Sequence, residues 1–289
     1  MKVLVFGASG MIGSAMYRVL SEKAPGGYSD LEVWGTLRSD EMKRFFAENL
    51  RGRLVSGVDV EKQDSLVRVF SRIRPDVVIN CIGLTKHLKE ADDPLLALPL
   101  NALLPHRMAD LCAVGGGRLI HVSTDCVYAG TRGNYAEDDA PDAVDVYGKS
   151  KHLGEVDYPH AVTLRTSTIG HELQSTYGLL EWFLSQRSRC NGFNRAIFSG
   201  LPNIEFARIV RDIVIPRPDL HGLYHVGAGP IGKYELLQCI AKVYDKQIDI
   251  VRDDEFVIDR SLNSAHFNQA TGYNAAPWPE LILQMYATR

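Results

Sequence analysis

Hydrophobic runs and helical patterns alternate along the first half of the chain. Short, nearly continuous apolar runs, typical of strands, occupy residues 2–6, 31–36, 54–57, 75–80 and 118–122. Between them, apolar positions three or four residues apart predict helices over residues 11–23, 63–73 and 92–113. Strands that stay apolar throughout are typical of parallel sheets that are buried on both faces. The pattern therefore predicts an α/β fold with a Rossmann-type, doubly wound parallel sheet.

The first predicted strand breaks into three glycines before the first helix begins. Glycines allow a tight turn and a close approach of the backbone to a ligand, and the N–H groups of a helix start attract phosphate. A plain glycine-rich turn is the alternative, but the order of strand, glycines and helix favours a dinucleotide site. We predict that the pyrophosphate contacts Gly7, Ser9, Gly10, Met11, Ile12 and Gly13.

The residues after the second strand indicate which cofactor binds. NAD sites place an acidic side chain there for the ribose, whereas NADP sites place an arginine against the 2′-phosphate. Here Arg38 follows the strand, while Asp40 and Glu41 suit the first turn of a following helix. We therefore predict NADP, bound as NADPH. The alternative is that Arg38 is only a solvated surface charge.

The ends of the next strands also lie where ligands bind in doubly wound sheets. We expect Asp59 and Val60 beside the adenine, and Cys81, Ile82 and Gly83 beside the rest of the cofactor. The loop from Leu84 to His87 brings Lys86 within reach of a substrate, although a solvated basic loop explains it equally well.

The fifth strand leads into the residues that carry the predicted chemistry. Thr124 follows this strand, and Tyr147 and Lys151 lie four residues apart, on one face of a predicted helix. A neighbouring ammonium lowers the pKa of a phenol from its usual value near 10. When hydride reaches a carbonyl carbon, the oxygen needs a proton, here from Tyr147, and a hydrogen bond from Thr124. Lys151 is also expected to bind the cofactor ribose.

Residues 1–165 are expected to form the dinucleotide-binding domain. The pattern is less regular after Arg165, with a further helix predicted over residues 177–186. Residues 166–289 are expected to form mostly a smaller C-terminal substrate-binding α/β region, with some segments returning to the first domain. Pro25 to Gly27 should end the first helix, because proline and glycine both interrupt helices.

Composition narrows the functional classes. A chain of 289 residues with 45% hydrophobic content can bury a large core, and its net charge of -3 argues against nucleic acid as a main partner. Its five cysteines are spread without a C-x-x-C pair, which fits reduced thiols in a cytoplasm. No charged leader, membrane-length apolar run or metal-binding cluster is evident, so we expect a soluble cytoplasmic protein with no membrane partner.

Taken together, these motifs resemble the extended short-chain dehydrogenases/reductases, and most closely the dTDP-4-dehydrorhamnose reductase group. The resemblance covers nearly the whole chain. Its segments are the glycine turn, Asn80 to Gly83, Asn101-Ala102, Ser123 to Gly130, Tyr135 to Glu137, Tyr147 to Lys151, Gly154-Glu155, Tyr224 to Val226, Lys233 to Leu236, Arg260 to Ser264 and Pro277-Trp278.

The resemblance implies the reduction of the 4-keto group of a deoxysugar that is carried on a nucleotide diphosphate. It implies a catalytic set of Thr124, Tyr147 and Lys151, with Asn101 in support at the cofactor. The expected substrate-binding residues are Lys86, Thr124, Asp125, Cys126, Thr168 and Arg260. A homodimer remains open.

One departure leaves other functions open. Rhamnose reductases usually have an aromatic residue where this chain has Cys126, and dehydratases have an acidic one, so dehydration is disfavoured. GDP-fucose synthases have a cysteine there and a later histidine, which would make Cys126 and His171 the proton-moving groups of a combined epimerase and reductase. Two further alternatives are an epimerase that holds NAD permanently and a non-catalytic NADP-binding regulatory subunit, as in methionine adenosyltransferase.

Overall fold

A computed structural model describes residues 1–22, 31–86 and 89–289 of the protein. They form two compact units, the first from residues 1–123, 144–164 and 207–223 and the second from residues 124–143, 165–206 and 224–289. The predicted helix stop at Pro25 to Gly27, and His87, lie outside the described residues. The predicted division at residue 165 concerns which residues bind the cofactor and which bind the substrate, and it remains a prediction.

The described strands and helices alternate along the chain. The strands are β1 (Lys2–Phe6), β2 (Glu32–Thr36), β3 (Leu54–Val55), β4 (Val77–Asn80), β5 (Arg118–Thr124), β6 (Ala161–Thr166), β7 (Thr168–Ile169), β8 (Arg189–Phe193), β9 (Ala196–Phe198), β10 (Leu201–Pro202), β11 (Gly222–His225), β12 (Ile231–Gly232), β13 (Asp249–Asp253) and β14 (Ile258–Asp259). The α-helices are α1 (Met11–Ser21), α2 (Glu48–Arg51), α3 (Gln63–Ile73), α4 (Pro94–Ala97), α5 (Leu104–Gly115), α6 (Val146–Leu153), α7 (Leu179–Ser185), α8 (Asn203–Ile209), α9 (Lys233–Val243), α10 (Ala265–Thr271) and α11 (Trp278–Tyr286).

The main sheet has seven parallel strands in the order β3-β2-β1-β4-β5-β6-β11. The strand order reverses between β1 and β4, which places a crevice at the carboxyl ends of these two strands. The predicted Rossmann-type, doubly wound parallel sheet is therefore confirmed.

Burial explains why the apolar runs form the central strands. All four residues of β4 are buried, as expected for a strand covered by helices on both faces. On α3, Leu66, Val69, Phe70 and Ile73 recur at helical spacing and join one hydrophobic core with residues of β1, β4 and α5. The helix has the bounds predicted from its periodicity. Four strands differ slightly from prediction: β2, β3 and β4 are shorter, and β5 extends through Thr124.

The predicted helix over residues 92–113 contains a π-helical turn, Leu98–Leu103, between α4 and α5. Pro105 lacks an N–H and therefore cannot donate to the Asn101 carbonyl four residues earlier, where its ring would also clash. The chain widens instead, and the Leu104 N–H bonds to the Pro99 carbonyl, five residues back. A Cβ atom on Gly154 would lie 1.9 Å from the Asn101 carbonyl oxygen. The end of α6 can therefore pack against this turn only if residue 154 is glycine.

The second unit is a smaller mixed α/β body. Strand β7 pairs with β10, β8 pairs with β13, and β9 lies between β12 and β14. Its buried core includes Phe183 of α7, Leu236 of α9, Phe267 of α10 and Leu281 of α11. The predicted helix over residues 177–186 is confirmed as α7.

Candidate active site

Glycines between β1 and α1 build a turn that suits a phosphate. Gly7 has φ +79°, a conformation that side chains disfavour. A Cβ atom on Gly13 would lie 2.0 Å from the Gly7 carbonyl oxygen, so α1 approaches β1 this closely only with glycine there. Gly10 caps the helix without a side-chain hydrogen bond, and no acidic residue lies in the first turn. A pyrophosphate fits this turn, because the positive end of the α1 dipole faces it.

The other predicted residues of this turn are only partly buried. Ser9, Met11 and Ile12 have intermediate exposure, and the turn is tied to β2 by Thr36. The Gly7 N–H donates to Thr36 Oγ1 at 3.2 Å. The turn is thus anchored on its inner side while its outer side stays accessible. The contacts of these residues with a cofactor remain predictions.

Arg38 is exposed two residues after the end of β2. The next carboxylate, Asp40, accepts hydrogen bonds from Lys43 Nζ at 2.7 Å and Ser56 Oγ at 2.6 Å. The hydrogen bond from Lys43 lowers the pKa of Asp40 from its usual value, and that from Ser56 adds to this effect. Asp40 is therefore ionised and already paired with Lys43. Arg38 is the side chain that stands at the position where NAD and NADP sites differ.

Asp59 follows β3 and lies near the charge of Arg38. Hydrogen bonds from Lys62 and from the Glu61 backbone lower the pKa of Asp59, and the Arg38 charge contributes in the same direction. The Asp59 Oδ2 atom is 3.2 Å from Lys62 Nζ. Val60 packs, half-buried, against the hydrophobic core. The predicted adenine contacts of Asp59 and Val60 remain predictions.

Asn80 shapes the turn at the end of β4. Its Oδ1 accepts a hydrogen bond from the Ile82 backbone at 3.0 Å, and its Nδ2 lies 3.1 Å from His121 Nδ1. Burial holds the pKa of His121 well below its usual value, so the imidazole is neutral. Burial also raises the pKa of Cys81 to about 12, which keeps this thiol protonated. A Cβ atom on Gly7 would lie 2.9 Å from Ile82 Cγ1, so the turns after β1 and β4 meet at the switch point.

Asn101 connects this turn to α6. Its Oδ1 accepts the Leu84 N–H at 2.9 Å, and its Nδ2 donates to Ser150 Oγ at 3.1 Å. A Cβ atom on Gly83 would lie 3.1 Å from Asn101 Oδ1 and 3.8 Å from Lys151 Nζ. Fully buried, Asn101 thus holds the loop after β4 against the helix that carries Lys151.

Helix α6 carries Tyr147, the predicted proton donor, and Lys151, the ammonium group expected to act on it. Asp145 caps the helix by accepting the Gly148 N–H at 2.7 Å, which fixes the turn that contains Tyr147. Lys151 follows one turn later and is 5% exposed. Its Nζ donates to the Val122 carbonyl of β5 at 2.8 Å. The lysine therefore lies against the carboxyl end of β5, on the same helix as Tyr147.

The Lys151 ammonium is costly to bury. Desolvation lowers the pKa of Lys151 to about 8, although the carboxylate of Glu155 opposes this shift. The expected effect of this ammonium on Tyr147 remains a prediction.

Lys86 is paired within the protein. Its Nζ lies 3.2 Å from Asp145 Oδ2, which makes it part of the capped start of α6. Both side chains are partly exposed, so this ion pair is weak and can exchange for an anionic ligand. The predicted contact of Lys86 with a substrate remains a prediction.

In the second unit, the residues after β5 form a hydrogen-bonded turn. Thr124 Oγ1 accepts the Cys126 N–H at 3.1 Å and donates to Asp125 Oδ1 at 3.2 Å. Burial raises the pKa of Asp125, while the positive charge of Arg260 opposes the shift. The Arg260 Nε atom donates to the Tyr128 carbonyl at 2.7 Å. The structure thus brings four of the six predicted substrate residues into one neighbourhood.

The other predicted residues of this unit have structural partners. Thr168 begins β7, which pairs with β10. His171 is held on both sides, with Nδ1 at 2.7 Å from Glu181 Oε1 and Nε2 at 2.9 Å from the Tyr244 hydroxyl. A role for His171 beside Cys126 would require it to leave one of these partners. The geometry therefore gives no support to the epimerase alternative.

Glu155 is a residue of this site to which the sequence assigns no role. Its carboxylate accepts a hydrogen bond from Ser123 Oγ at 2.7 Å and lies 3.0 Å from His152 Nδ1. The available signal is its position four residues after Lys151 in the resembling segment. Spacing alone does not reveal that the side chain is buried.

Among residues 1–22, 31–86 and 89–289, no helix is long and apolar enough to cross a membrane.

Comparisons with known proteins show similarity along most of the chain. Methionine adenosyltransferase 2 subunit beta of Xenopus tropicalis is 27% identical over 265 residues, which cover 84% of this chain and 72% of that protein. The dTDP-4-dehydrorhamnose reductase of Salmonella typhimurium is 26% identical over 239 residues, which cover 79% of this chain and 73% of that enzyme. The crystal structure of dTDP-4-dehydrorhamnose reductase from Bacillus anthracis in complex with NADP has a TM-score of 0.78 at 19% identity, and the match covers 100% of this chain and 99% of that one.

A family model describes the relationship more directly. The model of the RmlD substrate binding domain matches residues 1–252, which include every residue of the predicted catalytic set. This match takes in most of both compact units. The chain therefore belongs to the RmlD substrate binding domain family.

Proposed function

We propose that this protein is an NADPH-dependent reductase of the 4-keto group of a nucleotide-diphosphate-activated deoxysugar. One observation carries the proposal. Lys151 is buried with its Nζ on the Val122 carbonyl, one helical turn after Tyr147, at the carboxyl end of the sheet. This arrangement supports Tyr147 as the proton donor, because a nearby ammonium favours the phenolate over the neutral phenol.

The glycine turn and Arg38 support the cofactor part of the proposal. The turn between β1 and α1 is built from glycines at the start of a helix, which suits a pyrophosphate, and Arg38 is exposed where a 2′-phosphate is recognised. NADPH would supply the hydride. The chain itself would hold the diphosphate on the turn, hold the ribose with Lys151, and place Asn101 behind the loop after β4.

Two side chains would act on the carbonyl oxygen of the substrate. Tyr147 would donate the proton, and the Thr124 hydroxyl would stabilise the growing negative charge. In the structure the Thr124 hydroxyl donates to Asp125, so it would have to turn towards the ketone when the substrate binds. We propose Asp125, Cys126, Thr168, Arg260 and Lys86 as residues that contact the sugar nucleotide.

Family membership supports the substrate class. Relatives that carry the name dTDP-4-dehydrorhamnose reductase match most of the chain, and Arg260 adds a cation in the second unit that suits a diphosphate. The nucleotide base and the sugar stay open in this proposal, because Cys126 stands where an aromatic residue is usual in rhamnose reductases.

A non-catalytic regulatory subunit is the second candidate function. The observation in its favour is the similarity to methionine adenosyltransferase 2 subunit beta from several vertebrates. The presence of Thr124, Tyr147 and Lys151 favours catalysis instead.

Turnover tests the proposal. Purified protein is mixed with NADPH and a panel of 4-keto-6-deoxy nucleotide sugars, and NADPH oxidation and the sugar product are followed. We expect oxidation that depends on both the sugar and the enzyme. NADPH binding without turnover of any member of the panel would favour the regulatory candidate.

The exchange of Arg38 for alanine should change cofactor preference. We expect NADPH to bind the unchanged protein more tightly than NADH, and Arg38→Ala to weaken NADPH binding by about 10-fold or more, because a charge-assisted hydrogen bond contributes roughly 1.5–3 kcal/mol. NADH binding should change little. Binding is measured by fluorescence titration, with Arg72→Ala on α3 as a control for the loss of one exposed arginine. Equal affinities of the unchanged protein for the two cofactors would contradict the assignment of Arg38.

A further inference from the structure

Glu155 is a nearly buried carboxylate with two partners on different elements. Its side chain is 8% exposed. It accepts the Ser123 hydroxyl of β5 at 2.7 Å and faces His152 Nδ1 of α6 at 3.0 Å. The Glu155 N–H also donates to the His152 carbonyl at 3.1 Å, which continues the turn beyond the end of α6. The carboxylate is thus held in place between the strand and the helix.

This carboxylate lies four residues after Lys151 and acts electrostatically on its buried ammonium. The titratable groups that interact electrostatically with Lys151 include Cys81 from the loop after β4, His121 from β5 and Glu155 itself. Burial keeps the Cys81 thiol protonated and the His121 imidazole neutral. Of these neighbours, Glu155 is therefore the one that brings a negative charge to the site near neutral pH.

We propose that Glu155 is a positioning residue that keeps Lys151 charged and directed at the carboxyl end of β5. Without a nearby anion, a desolvated ammonium loses its proton more readily. A neutral Lys151 would no longer favour the phenolate of Tyr147. The catalytic consequence rests on the proposed function, but the charge on Lys151 can be measured without any turnover.

Ser123 explains how the carboxylate is held at this place. The Ser123 hydroxyl donates to Glu155 Oε1 from the residue that follows Val122, and the Val122 carbonyl accepts from Lys151 Nζ. Two adjacent residues of β5 thus bind the Lys151 ammonium and the Glu155 carboxylate, one each. The strand therefore fixes where each of the two charges lies.

The test is a pH titration of the lysine side chains by NMR, in wild-type protein and in Glu155→Gln. Lys151→Met identifies the resonance of Lys151, and Lys151→Arg replaces it for this purpose if the methionine variant does not fold. Burial lowers the pKa of Lys151 to about 8, well apart from that of exposed lysines. We expect Glu155→Gln to lower it further, by about one unit or more. Glutamine keeps the size of the side chain and an oxygen for the Ser123 hydroxyl.

Glu48→Gln on α2 is the matched control, because it removes the same charge from an exposed position, and the Lys151 titration should not move in it. If Glu155→Gln fails to fold, Glu155→Asp replaces it, and its displaced carboxylate should shift the titration in the same direction by less. An unchanged Lys151 titration in the variant that folds would overturn the proposal.

Activity provides a second readout that separates the two proposals. With a keto-sugar substrate, the fall in kcat at alkaline pH should move to lower pH in Glu155→Gln, whereas a purely structural loss would lower kcat at every pH. If Glu155→Gln shifts the Lys151 titration but the wild-type protein turns over no sugar, the role of Glu155 is supported and the reductase is rejected. Turnover with an unchanged pH profile and titration would reject the role of Glu155 alone.

Discussion

Tyr147→Phe should lower the turnover of a keto-sugar nucleotide by roughly 100-fold or more, the scale of a lost general acid. The substitution keeps the aromatic ring, which is half-buried on α6, and removes only the hydroxyl. The Lys151 hydrogen bond to Val122 does not involve that hydroxyl, so the lysine should stay in place. NADPH affinity should therefore change little, and kcat should carry the effect.

Steady-state kinetics and cofactor titration check this prediction. Tyr177→Phe is the matched control, since it removes the same hydroxyl from a tyrosine that is 60% exposed in the second unit. The control should retain full turnover. If Tyr147→Phe keeps substantial activity, another group donates the proton and the role of Tyr147 is wrong.

Lys151→Met should damage both catalysis and cofactor binding. Methionine matches the length of lysine but carries no charge, so the phenol of Tyr147 regains a higher pKa and the ribose loses a donor. We expect a turnover loss at least as large as that of Tyr147→Phe, roughly 100-fold or more, together with weaker NADPH binding. Normal NADPH affinity in Lys151→Met would contradict the proposal that Lys151 contacts the ribose.

Lys151→Met should also change how the free energy of unfolding depends on pH. The pKa of Lys151 is about 8 in the folded protein, against 10.5 as its ordinary value. Between these values the unfolded chain binds more protons than the folded one, so the contribution of Lys151 to stability increases as pH rises. The stability of wild type relative to Lys151→Met should therefore rise between about pH 8 and about pH 10.5, as measured by denaturant unfolding.

Local patterns were sufficient for much of the fold. The bounds of α3 and the buried character of β4 follow from residues that lie close together in the chain. The turn at Gly7 and Gly13 follows from spacing as well, because a Cβ atom on Gly13 would lie only 2.0 Å from the Gly7 carbonyl oxygen. These features depend on short-range geometry, which a single sequence records.

Partners that are distant in the chain could not be predicted. His171 binds Tyr244, 73 residues later, and buried Arg165 donates to the Tyr128 hydroxyl at 2.6 Å and to His225 Nε2 at 3.2 Å. No periodicity specifies such contacts, because they exist only after the strands and helices have packed. The sequence left His171 open as a proton carrier, and it could not show that the ring nitrogens lie beside Glu181 and Tyr244.

The π-helical turn at Leu98–Leu103 has a consequence for how this family can vary. A deletion of one residue there would restore ordinary helical winding, which would leave α5 nearly in phase with α4 but redirect the side chains within the turn itself. Asn101 would then turn away from Leu84 and Ser150, and the loop after β4 would lose its support. Many substitutions at exposed positions of this turn should be tolerated, whereas a change in its length should not. Among relatives that retain activity, we expect the length of this segment to be kept more strictly than its residues.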